Sequence, residues 1–297
     1  MPTPVPGVHH VTAITADART NYDFYTDTLG LRMVKRSVNQ DDPTAYHLFY
    51  ADERGSPGTS MTFFEWEDMA PGQVGAGQVG VTAFRVPEGA IDYWIDRFDE
   101  RGVDRDLELV EGATPDGASD PWTAAVPEAS AIRGFHGVAL FVRNPEPTAE
   151  LLTTMGYEQR ATDGDRRRLV ADGDLGAVVD LVRTDASGQQ GSGTVHHVAF
   201  RTPTDEEQAD WRDTLLDLGF QPSPVIDRKW FHSVYFRGGS EVADTGGVLF
   251  ELATHEPGYD VDEPIEELGE SLALPQRFES MRGNVKRALG PLPVDKD

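Results

Sequence analysis

Cysteine is absent from this chain of 297 residues. The absence of thiols excludes disulfides, thiolate metal sites and a cysteine nucleophile, so any metal must be held by nitrogen and oxygen ligands. Long apolar runs are also missing, since none approaches the ~20 residues that span a bilayer. The first residues, Met-Pro-Thr-Pro-Val-Pro-Gly, lack a basic region and an apolar core. We therefore expect no signal peptide and a cytoplasmic protein.

Basic residues are few, and lysine is the scarcer of the two kinds. The chain has 51 Asp and Glu against 26 Lys and Arg, which gives a net charge of −25. Its lysines are Lys35, Lys229, Lys286 and Lys296. A surface this acidic repels nucleic acid and anionic membranes, so neither is an expected partner. The simplest interpretation of this charge is an ordinary acidic protein. We favour a halophilic one, because concentrated salt screens the self-repulsion of such a surface.

A short β-rich segment occurs four times. The copies begin at His9, Val79, His136 and His196, and each precedes a polar stretch with helical character. A glycine follows each stretch, 19 to 22 residues after the second position of the segment: Gly30, Gly102, Gly156 and Gly219. Glycine just past a helix is a typical stop. Because further strands follow, the pattern predicts a repeated unit of one strand, one helix and about three strands.

Gly-rich and polar stretches separate the units. We place the main domain boundary near Ser130 to Gly134, which divides the chain into residues 1–131 and 132–256 with two units each. A last segment, 257–297, is acidic at first and then helical in character from Gln276 to Leu289.

Two of the four copies carry a His-His pair. Units one and four have His10 and His197 where units two and three have Gly80 and Gly137. Neighbouring residues of a strand point to opposite faces, so one histidine of each pair is expected to face a shared metal, and we choose the second. Glu251 lies in an otherwise apolar strand, where an unpaired carboxylate is costly. Two imidazoles and one carboxylate form the ligand set of non-haem iron(II) oxygenases.

These residues resemble the vicinal oxygen chelate superfamily, and within it the ring-cleaving dioxygenases that open hydroquinones. The resemblance covers nearly the whole chain and rests on six stretches: 7–12, 46–53, 55–64, 195–200, 233–237 and 246–254. It implies an α+β fold of four βαβββ modules paired into two domains, each a cupped mixed sheet with helices outside.

The resemblance also implies roles for individual residues. It makes His10, His197 and Glu251 the ligands of Fe(II), although such sites also take Mn or Zn on isolation. It places Thr12, His196, Arg228 and Tyr235 around the substrate. The partners would be a small aromatic compound and O₂, and a homo-oligomer is left open. Gly238 to Thr245 is about six residues longer than the family's turn by alignment. Two interpretations stay open for it: a solvated hairpin, or a connection that reshapes the mouth of the site and so changes the substrate.

Two other functions compete. Phe64-Glu65 aligns with Phe250-Glu251, and if both glutamates were ligands, a glyoxalase-type lyase or isomerase would be favoured. The third interpretation is a metal-free protein that binds an aromatic compound. The remaining histidines, His47, His136, His232 and His255, are read as structural by default, His232 with the least support.

Overall fold

The computed structural model describes residues 2–40, 42–103, 108–113, 119–241 and 243–294. The first module holds β1 (Val8–Thr15), α1 (Ala18–Asp23), β2 (Arg32–Val38), β3 (Tyr46–Ala51) and β4 (Ser60–Glu65). A π-helical turn, Phe24–Thr28, continues α1. The described part of the second module holds β5 (Gln78–Val86), α2 (Ile91–Arg101) and β6 (Glu108–Glu111).

The second half of the chain repeats the pattern. The third module holds β7 (Phe135–Val142), α3 (Pro145–Thr154), β8 (Glu158–Asp163), β9 (Arg166–Val170) and β10 (Val178–Arg183). The fourth holds β11 (Val195–Arg201), α4 (Asp205–Asp217), β12 (Ile226–Asp227), β13 (Phe231–Phe236) and β14 (Phe250–Pro257). The predicted α+β class and repeated unit are confirmed, with the second module described only as strand, helix and strand.

The predicted glycine stops are confirmed by the backbone. Gly30, Gly102, Gly156 and Gly219 all have positive φ angles, between 63° and 99°. This conformation strains residues with a Cβ atom and is the usual end of a helix. At the other end of α4, the side chain of Thr204 accepts a hydrogen bond from the backbone N–H of Glu207. The Glu207 carboxylate in turn accepts one from the backbone N–H of Thr204. This capping box explains why the helix starts there.

The strands form two mixed sheets that join modules from opposite ends of the chain. The eight-stranded sheet has the order β12-β13-β14-β11-β1-β4-β3-β2, which unites modules four and one. The six-stranded sheet, β6-β5-β7-β10-β9-β8, unites modules two and three. In each sheet the two modules meet through their antiparallel first strands, β1 with β11 and β5 with β7. The predicted boundary near Ser130 to Gly134 thus separates halves of the sequence rather than sheets, and the division at residue 131 remains a prediction.

The C-terminal segment packs along the outer strands of the first module. The backbone N–H of Ala273 donates to the carbonyl of Arg36 in β2, and the Tyr46 hydroxyl donates to the carbonyl of Gly290. The helix expected from Gln276 to Leu289 is present as a 3₁₀ helix, Gln276–Met281, followed by α5, Arg282–Ala288. Within the described ranges, no helix has the length and apolar character needed to cross a membrane.

Candidate metal centre and substrate cavity

The two first strands of the large sheet bring the predicted histidines together. In the antiparallel pairing of β1 with β11, His10 lies opposite Ala199 and Thr12 lies opposite His197. The parallel neighbour β14 places Glu251 beside Ala199. All three side chains are therefore on one concave face at the junction of modules one and four, and all three are buried.

The ligand atoms converge on a single point. Oε2 of Glu251 lies 2.9 Å from Nε2 of His197 and 3.2 Å from Nε2 of His10. The two Nε2 atoms are 3.4 Å apart. Oε2 is buried, yet it makes no hydrogen bond of good geometry with any described residue. An orphaned carboxylate oxygen facing two imidazole nitrogens is the arrangement expected where a divalent cation binds, so the donor set fits the predicted metal.

Electrostatics favour the ionised carboxylate. Burial opposes the charge of Glu251, but the charges and close contacts of the His10 and His197 imidazoles hold the pKa of this carboxyl well below its usual range. The other oxygen, Oε1, accepts a hydrogen bond from the Ser233 hydroxyl on β13. A ligating carboxylate that is itself hydrogen-bonded keeps a fixed orientation. Ser233 was not among the predicted site residues, although it lies in a quoted motif two residues before Tyr235.

Each ligand histidine is held by the histidine that precedes it. Nδ1 of His9 lies 3.0 Å from Nδ1 of His10, and Nδ1 of His196 lies 2.8 Å from Nδ1 of His197. A hydrogen bond at the second ring nitrogen orients a metal-bound imidazole and fixes its tautomer. His9 was missed as a functional residue, and its signal was the symmetry with His196. Burial, with the nearby His197 charge, lowers the pKa of His196 to about 3.

One cavity of about 1030 Å³ contains the predicted substrate residues. Thr12, His196, Arg228 and Tyr235 all line it, together with the ligands His10 and His197. The guanidinium carbon of Arg228 lies 5.1 Å from the centre of the Tyr235 ring, and that ring packs against His197. The Thr12 hydroxyl instead pairs with that of Thr62 at 2.8 Å. Aromatic side chains supply much of the remaining wall: Phe49, Phe64, Trp66, Trp230 and Phe231.

The histidines read as structural have different surroundings. His47 lines the cavity between Phe49 and Phe64, at ring distances of 4.0 and 4.4 Å, and its Nε2 lies 3.2 Å from the Thr62 hydroxyl. His232 lines the same cavity and pairs with Asp205.

His136 lies on β7 of the other sheet, and His255 near the end of β14. Of the four histidines expected to be structural, His47 and His232 therefore line the cavity, and His136 and His255 do not.

The proposed equivalence of Glu65 with Glu251 is wrong by three residues. Glu251 pairs with Ala199, two residues after His197. In module one the residue two after His10 is Thr12, and it pairs with Thr62. Glu65 lies further along β4, beside Thr15, and its Oε1 accepts from the backbone N–H of Ala18 at 2.9 Å. The two-residue match Phe-Glu misled the alignment because strand register depends on pairing, not on short identities.

The smaller sheet cannot hold a second centre at the equivalent position. A Cβ atom on Gly137 would lie 2.0 Å from the carbonyl oxygen of Val178, and one on Gly80 would lie 2.6 Å from the Phe141 ring. In the same register, Asp180 takes the place of Glu251, opposite Ala139. Arg166 and Arg168 both donate to its carboxylate. The expected asymmetry between histidine-bearing and glycine-bearing units is thus visible in the structure.

The long connection from Gly238 to Thr245 packs away from the centre. The backbone N–H of Asp244 donates to the carbonyl of Pro147 at the start of α3, and Gly246 lies against Val142. The described residues of the connection, which exclude Val242, do not line the cavity. Of the two interpretations, a role at the mouth of the site is therefore not supported by the described part of this connection.

Comparisons with known proteins show which proteins this chain is similar to. The family model described as "Glyoxalase/Bleomycin resistance protein/Dioxygenase superfamily" matches residues 7–252. The chain is 42% identical to the Bacillus subtilis protein named "Putative ring-cleaving dioxygenase MhqO", over 97% of each chain. It is 29% identical to the "Chlorohydroquinone/hydroquinone 1,2-dioxygenase" of Sphingobium indicum, again over 97% of each. The crystal structure of a "putative dioxygenase" from Bacillus subtilis superposes with a TM-score of 0.92 at 40% identity, covering 99% of this chain and 100% of that one.

Proposed function

The chain belongs to the glyoxalase/bleomycin resistance protein/dioxygenase superfamily, and from that premise we propose that it is an Fe(II)-dependent, extradiol-type dioxygenase acting on a hydroquinone-like aromatic. Ring-cleaving dioxygenase is the class that its relatives' names give. The metal, the mode of cleavage and the substrate are our proposal. Its partners would be the aromatic substrate and O₂, and we retain the cytoplasm as its proposed location.

The observation that supports this proposal is the three-residue cluster at the wall of an aromatic cavity. His10, His197 and Glu251 would hold the metal through Nε2, Nε2 and Oε2. When bound there, iron(II) would supply open coordination positions and redox chemistry toward an aromatic substrate and O₂. Mn or Zn could occupy the same donors in an isolated sample, since imidazole and carboxylate bind several divalent ions.

Aromatic walls would position the ring. Phe231 lies 5.0 Å from the His10 ring, and Phe64 lies 5.5 Å from the His196 ring, measured between ring centres. These side chains offer flat apolar faces on either side of the ligand histidines, where a substrate ring can stack. They also exclude water from the reacting atoms.

Tyr235 and Arg228 would recognise the polar ends of the substrate. Burial raises the pKa of Tyr235, so its phenol stays protonated near neutral pH and can donate a hydrogen bond to a ring hydroxyl. Arg228 carries a permanent positive charge beside the Tyr235 ring and can stabilise an ionised phenol. Thr12, hydrogen-bonded to Thr62, would complete the polar wall on β1.

His196 is our candidate proton acceptor. Its pKa of about 3 leaves the imidazole neutral near pH 7. A neutral ring can accept a hydrogen bond from a substrate hydroxyl, but a pKa this low makes it a weak base, so a proton taken from that hydroxyl would be held only briefly and passed on. Its Nδ1 contact with His197 keeps it next to the metal ligand while its ring lines the cavity.

The two alternatives have less support. The glyoxalase-type interpretation needed Glu65 as a ligand, and Glu65 instead accepts from the backbone at the start of α1. The metal-free interpretation would require the buried Oε2 of Glu251, which makes no hydrogen bond with a described residue, to face two imidazole nitrogens without a cation. Such a group is costly to bury without a partner.

The test is anaerobic loading with iron(II), followed by addition of hydroquinone and O₂. Oxygen uptake should match hydroquinone consumption one to one, and with ¹⁸O₂ the ring-opened product should carry both labelled atoms. Catechol provides the comparison for the position of cleavage. Conversion of a hemithioacetal without oxygen uptake would instead favour the glyoxalase-type activity.

A further inference from the structure

Arg228 is carried by a tight hairpin turn between β12 and β13. Asp227 pairs with His232 across the hairpin, and the backbone N–H of Arg228 donates to the carbonyl of Phe231 at 3.0 Å. Lys229 and Trp230 form the apex. The direction of the guanidinium into the cavity therefore depends on how this two-residue apex is held.

The apex is strained. Lys229 has a φ of 77°, a left-handed conformation that is uncommon for a residue with a side chain. Part of the compensation is local, since its backbone N–H donates to the Asp227 carboxylate at 2.6 Å. Strain of this kind persists only where the surroundings enforce it, and it is frequent at binding sites.

Asp262, on the C-terminal segment, makes the other contacts that stabilise the strained apex. Its Oδ2 lies 2.5 Å from Nζ of Lys229, and its Oδ1 accepts from the Trp230 indole at 3.1 Å. Both residues of the apex are thus bound to one carboxylate. Burial alone would favour the neutral acid, yet the hydrogen bonds from its three donors lower the pKa of Asp262.

A third donor connects Asp262 to the large sheet. Nζ of Lys35, on β2, lies 2.7 Å from Oδ1 of Asp262 and also contacts Glu263. The Lys35 side chain is fully buried. Two of the four lysines in this lysine-poor chain therefore converge on one carboxylate, one from the sheet and one from the hairpin. The Trp230 ring lies beside both ammonium groups, at 5.7 Å from each.

A second contact fixes the guanidinium itself. Nη1 of Arg228 donates to Oε1 of Gln40 at 2.8 Å, in the loop after β2. Arg277 of the C-terminal segment contacts the backbone carbonyl of the same Gln40. Leu274, Pro275, Gln276 and Glu279 extend this segment along the cavity wall. The C-terminal segment thus holds Arg228 from two sides, through the apex and through Gln40.

We propose that Asp262 is a positioning residue for the reaction: by binding Lys229 and Trp230 to Lys35, it holds Arg228 over Tyr235 in the substrate cavity. The C-terminal segment is then part of the substrate site rather than a tail. The proposal rests on the proposed function in one respect, namely that Arg228 contacts the substrate. It does not involve the metal, which the segment does not touch.

A double-mutant cycle tests the proposal. Asp262→Asn, Arg228→Met and the double variant are compared with the wild type in kcat/KM for hydroquinone, after iron loading. Asp262→Asn alone should lower kcat/KM by roughly 10- to 100-fold, the loss typical of a misplaced group, with unchanged iron content. In the Arg228→Met background the same change should have an effect of about 2-fold or less, because residues that act through one another are not additive.

Tyr46→Phe is the matched control. It removes a hydrogen bond between the sheet and Gly290 of the same segment, but it does not touch the hairpin. This variant should keep wild-type kcat/KM. Loss of activity there equal to that of Asp262→Asn would mean that docking of the segment in general matters, and would overturn a specific role for Asp262.

Equal losses from Asp262→Asn in both backgrounds would also overturn the proposal, as would full activity of Asp262→Asn. If that variant does not fold, Lys229→Met takes its place in the cycle, because it removes a partly exposed side chain from the same carboxylate. Crystal structures of wild type and variant give a readout independent of turnover. The Arg228 guanidinium should leave its place 5.1 Å from the Tyr235 ring centre, and an unmoved guanidinium would refute the proposal even if hydroquinone were not the substrate.

Discussion

Thr62 occupies in the first module the position that Glu251 occupies in the fourth. Each lies on the parallel last strand of its module, beside the residue two positions after a ligand histidine. The shared centre therefore receives one histidine from each module but a carboxylate from only one. The threonine at the other position is hydrogen-bonded to Thr12 and lies near His47, so β4 contributes no carboxylate at this position. This asymmetry suits the proposed centre, which would have to admit substrate and oxygen.

Replacing Tyr235 with Phe should leave iron content unchanged and lower kcat/KM for hydroquinone. The loss of one hydrogen bond to an uncharged group, about 0.5–1.5 kcal/mol, corresponds to roughly a 2- to 13-fold decrease. Arg228→Met should cost more, because a charged partner is lost. Steady-state kinetics on iron-loaded protein measure both. Wild-type kinetics of both variants on every ring substrate would exclude hydroquinone binding at these side chains, and loss of iron would place them with the ligands.

His9→Phe should weaken metal binding while retaining a ring of similar size. The variant removes the hydrogen bond that orients His10, and such partners typically contribute roughly 10- to 100-fold to metal affinity. Competition with a chelator on the iron-loaded protein gives the affinity. His136→Phe is the control, since His136 has the equivalent place in the smaller sheet, which lacks the ligand set. Equal affinities of His9→Phe and wild type would show that His9 has no such role.

Much of the centre could be predicted from the sequence because its signals are local. Three such signals can be recognised without knowing which strands pair: His-His pairs at two equivalent strand starts, glycines at the other two, and a charged residue in an apolar strand. The position of Glu65 could not be predicted from the sequence, because the register between β1 and β4 decides which residue of β4 faces the histidines. Ser233 and His9 act through neighbours across or along strands, and their polar character alone gives no hint of that.

The role of the C-terminal segment could not be predicted from the sequence either. Strand β2, with Arg32, Lys35 and Arg36, has the composition of a solvent-exposed edge. In the structure every residue of β2 is buried, because the segment covers the edge and supplies Asp262 and Glu263 to Lys35. Burial of a charge by residues 227 positions away is a tertiary effect that no periodicity reveals.

Lys35→Met should destabilise the protein strongly. The side chain is fully buried, and its removal leaves Asp262 and Glu263 without their shared cation. Breaking a buried ion pair from one side costs about 3–5 kcal/mol in the free energy of unfolding. Urea unfolding followed by tryptophan fluorescence measures it. Lys286→Met, which changes the same charge on α5, should shift this free energy by less than about 0.5 kcal/mol. Similar values for the two variants would contradict the structural role of Lys35.

Salt should stabilise the protein. With a net charge of −25, self-repulsion opposes the compact state at low ionic strength and is screened at high ionic strength. The melting temperature should therefore rise between low and molar KCl. A flat or falling melting temperature over that range would refute adaptation to salt and leave the charge as ordinary acidity.

The iron content of Glu251→Gln, compared with that of Glu65→Gln, is the direct test of the proposed metal centre. Both changes replace a carboxylate by an amide of the same size, one at the proposed centre and one at the start of α1. After iron(II) loading and desalting, we expect that Glu251→Gln loses most of its iron while Glu65→Gln retains about one equivalent per chain. Full iron occupancy in Glu251→Gln, or loss of iron from both variants, would contradict a centre formed by His10, His197 and Glu251.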